Sequence, residues 1–353
     1  MSSVATEIIS LCAACGKEEG EDNKLKSCTA CNAVKYCNRD CNRDCQIAHR
    51  PRHKKECRKR AAEIRDEALF AQPPPNEDCP LCCYILPPIQ QQKYQSCCGK
   101  MLCDGCIDAH HDTHCENFYE RNADITDEEI YPTCPFCRTL APTSSEEEIK
   151  RLQKRSNMKD ANAMCNLASC YERGSVVSRD VNKAMELWTQ AAELGSIQAS
   201  ALLADAYNPD VQKKVDGVAK DMKKVYHYYE IAAKGGHCMA RANLGVLEAG
   251  AGNMEASRKH YMISAAQGND NALMAIKAGY LDGHITKDDF AKALRAHKVA
   301  QDEMKSENRT KAANKNNDVC QCPKCRVENF MVDRFNLFFG HKTLVGMVQE
   351  PEE

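Results

Sequence analysis

Four closely spaced pairs of cysteines between residues 79 and 138 constrain this chain more than any other stretch. They read Cys79-Pro-Leu-Cys82, Cys97-Cys98-Gly99-Lys100, Cys103-Asp-Gly-Cys106 and Cys134-Pro-Phe-Cys137-Arg138. A two-residue spacer lets both sulfurs of a pair point inward from one tight turn, and two such turns complete a tetrahedral shell around zinc. The stretch therefore has to fold around metal rather than around an apolar core.

The rest of the composition supports that reading. The chain has 24 cysteines, eight of them before residue 60, ten between 79 and 137, and three in the next 180 residues. Met1 to Ser10 lacks the basic start and apolar core of a signal peptide. No run of about eighteen apolar residues appears, so no membrane span is expected. A chain kept in the cytoplasm and/or nucleus holds its thiols reduced, and cysteines at this density are then metal ligands rather than disulfides. The net charge of −2 gives no argument for nucleic acid. The cysteines sort the chain into a metal-rich front and a metal-free back.

In the front, Cys12-x2-Cys15 and Cys28-x2-Cys31 are followed by Cys37, Cys41, Cys45, His53 and Cys57. His49, His53 and Cys57 fall four apart, on one face of a helix. That helix can give His53 and Cys57 to one ion, with Cys28 and Cys31 supplied by a loop. The segment Val34-Lys-Tyr-Cys37 followed by Cys45-Gln-Ile-Ala-His49-x3-His53-Lys54-x2-Cys57 resembles the MYND zinc finger, over residues 12–57. The resemblance implies a module that holds short proline-containing peptides; a purely structural zinc fold is the plainer alternative. Asn38-Arg-Asp-Cys41 is repeated at once as Asn42-Arg-Asp-Cys45. Either Cys41 or Cys45 therefore completes the first site with Cys12, Cys15 and Cys37, and the short gap from Cys37 favours Cys41. His49 reads as a packing histidine. The basic run Arg50 to Arg60 reads as the solvated face of the finger's last helix, ahead of a nuclear address.

Residues 58–76 read as a charged helix stopped by Pro73-Pro74-Pro75. The following stretch, 77–140, resembles a RING finger, which implies two ions in cross-braced order. Carried over by position, Cys79, Cys82, Cys103 and Cys106 hold the first ion, and Cys98, Cys134 and Cys137 share the second. Where the family has its remaining histidine, this chain has Lys100, which cannot coordinate zinc while protonated. Cys97 is favoured for that place on proximity, ahead of His110, His111, His114 and Cys115; Cys83 reads as a spare thiol. RING-type ubiquitin ligases dock a charged ubiquitin-conjugating enzyme and act by orientation, with no catalytic side chain. The resemblance implies Leu81, Phe136 (with Pro135) and Arg138 as the docking residues.

From residue 144 to 304 the chain reads as helix pairs. Ser144 to Glu147 has capping-box spacing and opens a helix to about Asn157. Ala163-x3-Leu167-Ala-x2-Tyr171 recurs as Ala199-x3-Leu203-Ala-x2-Tyr207, then more weakly from Ala240 and Ala272. Each is followed by a second helix, marked by Trp188, Tyr229 and Tyr261 and ended by Gly195, Gly236 and Gly268. Asp180, Asp221 and Asp289, each three before a lysine, have the position of N-caps for second helices. A pair of this size cannot bury its apolar face alone, so stacking is the physical solution. The pattern resembles Sel-one-like repeats, relatives of the tetratricopeptide family, which implies a scaffold that binds a protein client.

Residues 305–353 read as a flexible tail with three cysteines, Cys320, Cys322 and Cys325, which His341 could complete as a site. The expected fold is mostly α, with two small zinc-stabilised finger modules ahead of an α-solenoid, and about four zinc ions. The expected function is zinc-dependent protein interaction. Within that, the expectation is a RING-type ubiquitin ligase or ligase adaptor, with a non-enzymatic scaffold as the alternative.

Overall fold

A computed structural model describes residues 11–17, 19, 24–36, 42–121, 133–174, 176–211, 215 and 217–314; the side chains of 42–46, 90 and 114–121 are not among those described. The chain divides into two units, residues 1–71 and 72–353.

In the first unit a two-residue hairpin, β1 (Lys26–Ser27) against β2 (Lys35–Tyr36), stands beside a single long helix, α1 (Asn42–Leu69). The finger helix and the charged segment after it are thus one continuous element, ending ahead of the proline run. Its small core is Cys12, Leu25 and Tyr36.

The second unit begins with a cysteine-rich module. Its antiparallel hairpin, β3 (Gln92–Gln95) and β4 (Lys100–Cys103), leads directly into α2 (Asp104–Arg121). Among the described residues, Leu86 and Leu102 are the aliphatic members of its buried apolar cluster, beside Cys79 and Cys103. The helices of the back half follow: α3 (Ser145–Asn157), α4 (Ala161–Arg173), α5 (Val181–Glu193), α6 (Ile197–Tyr207), α7 (Met222–Lys234), α8 (Cys238–Gly250), α9 (Met254–Ala266), α10 (Asp270–Leu281), α11 (Lys287–Met304) and α12 (Glu307–Asn314). No helix among the described residues is long and apolar enough to cross a membrane.

The repeat signature is the packing signature. Ala163, Ala168, Ala184, Ala191, Ala199 and Ala204 are all fully buried, so neighbouring helices approach to backbone distance. Trp188 and Tyr229 fill the space beside them. Tyr229 also donates its hydroxyl hydrogen to Asp205 and accepts from Asn243 Nδ2 at 3.1 Å, which satisfies a buried phenol. Gly245 stands where earlier repeats carry alanine, because a Cβ there would lie 2.8 Å from the Tyr261 ring.

Helix starts follow the sequence closely, with one correction. Ser144 accepts from the Glu147 amide, and Asp180 and Asp221 cap α5 and α7. Asp289 does not cap α11: Thr286 does, accepting the Asp289 N–H at 3.1 Å, and Asp289 pairs with Arg258 at 3.2 Å instead. Buried Ile285 fixes the entry to the helix, so the hydroxyl next to it reaches the free amides first. Replacing Asp221 with alanine is expected to cost about 1 kcal/mol of stability, read as a lower urea midpoint with an unchanged slope.

A second correction concerns residues 305–314. Expected to be part of a flexible tail, they include α12, over Glu307–Asn314, which packs on α2 with Arg309 buried. Polar composition misled here because a single arginine with enough acceptors can anchor an otherwise hydrophilic helix. Cys320, Cys322, Cys325 and His341 lie outside the described residues.

Candidate metal centres

Four turns of the front half share one backbone design. In each, the residue after a Cys-x2-Cys pair adopts a left-handed conformation: Gly16 at φ 72°, Asn32 at 52°, Cys83 at 56° and Arg138 at 62°. Each donates its N–H, at 2.9 Å, to the carbonyl of the first cysteine, respectively Cys12, Cys28, Cys79 and Cys134. The first cysteine's own N–H then reaches forward to Lys17, Val34, Tyr84 and Thr139, at 2.8 to 2.9 Å. Non-glycine residues rarely take this conformation. Three of them doing so after a cysteine pair means that the sulfurs dictate the turn.

These turns assemble three groups of four ligand atoms, the atoms of each lying within 4.8 Å of one another: Cys28, Cys31, His53 and Cys57; Cys79, Cys82, Cys103 and Cys106; Cys97, Cys98, Cys134 and Cys137. Zinc at about 2.3 Å from each sulfur requires S···S edges of about 3.8 Å, against about 2.05 Å for a disulfide. The sulfurs lie 3.7 Å apart for Cys28–Cys57 and 3.9 Å for Cys79–Cys106, Cys82–Cys103 and Cys98–Cys134. Those are the edges of a metal tetrahedron. The donor sets, four thiolates or three with one imidazole, fit zinc.

The order of pairs in the second module is cross-braced, first with third and second with fourth. Cys97 is the residue brought to the fourth position, 3.4 Å from Cys137. The β3–β4 hairpin makes two adjacent ligands feasible. Its four-residue loop, 96–99, is closed by Cys98 and Gly99 N–H groups donating to the Gln95 carbonyl, at 3.2 and 2.7 Å. Lys100 instead holds its ammonium 5.9 Å from the Phe136 ring centre. His110 is paired elsewhere, with Thr133 Oγ1 at 3.1 Å and Arg138 Nη1 at 3.4 Å. His114 and Cys115 lie outside the described side chains. Cys83 is exposed.

In the first unit α1 supplies His53 and Cys57 one turn apart. His49 stacks on the His53 ring at 5.5 Å and meets the Tyr36 hydroxyl at 3.1 Å, so it orients a ligand rather than acting as one. Cys12 and Cys15 have the same turn geometry as the other three pairs. Cys37, Cys41 and the Cys45 side chain, which would complete their site, lie outside the described residues.

Electrostatics within each group point the same way. Burial raises the thiol pKa values first, and N–H and hydroxyl donors then pull one sulfur of each group down. Cys79 falls to about 7 through the amides of Cys103, Cys82 and Leu81. Cys137 falls to about 6 through Thr139, and Cys28 to about 6 through His53 and nearby amides. Burial together with the neighbouring sulfurs raises Cys57 to about 11 and drives Cys97 and Cys106 further up. Four thiols this close cannot all ionise without a cation between them, and a dication meets that need.

Residues that sequence reasoning missed hold the second module in place. Tyr94 donates to Asp160 at 2.6 Å, and Ser96 to Glu148 at 2.5 Å. Arg155 donates to the carbonyls of Ser96 and Cys97 at 2.8 and 3.1 Å. Gly99 (φ 75°) allows this approach: a Cβ there would lie 2.5 Å from Arg155 Nη1. No local pattern marks these residues.

The MYND finger family matches residues 12–57, and the Sel1 repeat family matches 161–196 and 199–237. Over 98 residues the chain is 37% identical to the chitin synthase regulator SKT5 of Saccharomyces cerevisiae; that stretch is 27% of this chain and 14% of that protein. Among solved structures, a Sel1 repeat protein from Oxalobacter formigenes is 22% identical, covering 54% of this chain and 80% of that one, with a TM-score of 0.39. The protective antigen c5321 of uropathogenic Escherichia coli is 19% identical, covering 56% and 50%, with a TM-score of 0.30. The chain therefore carries a zinc-binding MYND finger at residues 12–57 and Sel1 helical repeats between residues 161 and 237, both of them modules of the protein-interaction kind.

Proposed function

We propose that the chain is a zinc-dependent interaction protein whose second cysteine-rich module works as a RING-type ubiquitin ligase, with clients held by the MYND finger and the repeats. The observation that carries this reading is the arrangement around the two four-cysteine groups. Leu81 and Phe136 are exposed beside the first and last cysteine turns, and exposed Arg138 follows the final cysteine in a left-handed conformation. Two apolar contacts and a guanidinium fork are what docking a charged conjugating enzyme requires: the apolar pair seats the enzyme, and the fork donates to carbonyls of ubiquitin and its carrier. The chemistry is orientation of a thioester, so no acid, base or nucleophile is needed. Zinc, held by Cys79, Cys82, Cys103 and Cys106 and by Cys97, Cys98, Cys134 and Cys137, would fix the two docking turns. A further ion on Cys28, Cys31, His53 and Cys57, and one on Cys12, Cys15, Cys37 and Cys41 or Cys45, would fix the finger. A reducing compartment, cytoplasm or nucleus, belongs to the same reading.

The test mixes the full chain with ubiquitin, activating enzyme and a broad panel of conjugating enzymes. Chain formation with at least one of them is expected, and Arg138→Ala should slow it about tenfold, equivalent to about 1.4 kcal/mol, with the zinc content unchanged. Absence of chains across the whole panel would rule the ligase out. A second reading, a non-enzymatic adaptor, draws on the Lys100 ammonium lying over Phe136 and on His110 engaging Arg138. Binding of a conjugating enzyme without discharge of its thioester would favour it.

A further inference from the structure

The first four-cysteine group has a cation beside it that arrives from the far end of the chain. Ser306 opens α12 by accepting the Arg309 N–H at 3.2 Å. The Arg309 side chain then turns into the first cysteine turn. Its Nη1 donates to the carbonyls of Ile85 at 2.7 Å and Met304 at 2.8 Å. Its Nη2 donates to the Cys82 sulfur at 3.5 Å and the Tyr84 carbonyl at 3.4 Å, and the guanidinium lies 5.9 Å from the Tyr84 ring centre. The residue is 9% exposed. Gly105, between the ligands Cys103 and Cys106, makes room for it: a Cβ there would meet the Arg309 backbone nitrogen at 2.6 Å and its Cα at 2.8 Å.

Four thiolates around a dication leave two surplus negative charges, and burying surplus charge is costly unless a counter-charge comes with it. The guanidinium is that counter-charge, hydrogen-bonded to a ligand sulfur. Beside the second group, Arg155 gives its N–H groups to the Ser96 and Cys97 carbonyls and to the Asp160 carboxylate instead. We propose that Arg309 is a positioning residue for the first four-cysteine site: it offsets the charge of a four-thiolate zinc centre, so metal retention there depends on the helix that ends the solenoid. This rests on the zinc reading of Cys79, Cys82, Cys103 and Cys106 given above.

The test compares zinc release from the full-length wild type, R309Q, R309K and G105A into a chelating dye, with each cysteine followed by alkylation and mass spectrometry. R309Q should release the ion from Cys79, Cys82, Cys103 and Cys106 about tenfold faster, the lower end of what outer-shell partners contribute. The other sites should keep their wild-type rates. R309K, which keeps the charge without the fork, should fall between. G105A keeps the arginine but displaces α12, and should follow R309Q. Equal rates in wild type and R309Q, or an acceleration shared by every site, would overturn the inference. A wild-type chain carrying no zinc on these four cysteines would instead remove the reading beneath it.

Discussion

Stripped of zinc by excess chelator, the full chain is expected to lose its front half while keeping its repeats. Amides at 79–106 and 133–140 should move from slow hydrogen exchange to the rate of an open chain, and those of α4 to α10 should stay protected. The reason is the size of the two cores. Among the described residues, the second module's buried cluster has two leucines, Leu86 and Leu102, at about 1.5–3 kcal/mol each. Ordering a residue costs about 1–2 kcal/mol in backbone entropy, so two leucines cannot hold dozens of residues in place. Structural zinc supplies about 10–16 kcal/mol per ion in isolated fingers, and here it has to supply the difference. The solenoid has Leu152, Leu167, Trp188, Leu203, Tyr229, Leu244 and Ile276 buried among alanines and needs no metal. Losses should spread only as far as direct contacts reach: to α3 through Arg155 and Glu148, to the cap of α4 through Tyr94 and Asp160, and to α12 through Arg309. Unchanged protection at 79–106 after complete zinc removal would contradict this account.

Local patterns were legible in the sequence and long-range polar contacts were not. Cysteine spacing encodes a turn, and the turn has one geometry wherever it occurs; the repeat Ala-x3-Leu encodes which face of a helix meets its neighbour. Both signals are complete within a few residues. Choosing Cys97 for the second group depended on proximity alone, and the hairpin loop that makes it feasible could be inferred only from Gly99. Arg309 against Gly105 joins residues some two hundred positions apart, and nothing near either marks the pairing. Asp289 had the spacing to lysine of its two predecessors, but a hydroxyl three residues earlier was closer to the free amides.

Asp160→Ala is expected to be the most damaging single change at the junction between the cysteine-rich module and the repeats. One carboxylate oxygen caps α4, accepting the N–H groups of Asn162 and Ala163 at 3.1 and 3.0 Å. The other accepts the Tyr94 hydroxyl at 2.6 Å and Arg155 Nη1 at 3.2 Å. Losing the cap costs about 1 kcal/mol. Leaving a half-buried phenol and a guanidinium without their charged acceptor adds about 2 kcal/mol, a figure at the low end because the site is partly open to solvent. A total near 3 kcal/mol should appear as a lower urea midpoint in the fluorescence of Trp188, the chain's single tryptophan, buried in α5. Asp180→Ala, which removes a cap and nothing else described at that carboxylate, should cost about 1 kcal/mol in the same measurement. Tyr94→Phe combined with Asp160→Ala should cost less than the sum of the two, by about 1 kcal/mol, because they remove the same hydrogen bond. If Asp160→Ala and Asp180→Ala proved equal and the double change additive, the Tyr94–Asp160 contact would add nothing to the junction, which would then rest on Ser96 with Glu148 and on Arg155 with the Ser96 and Cys97 carbonyls.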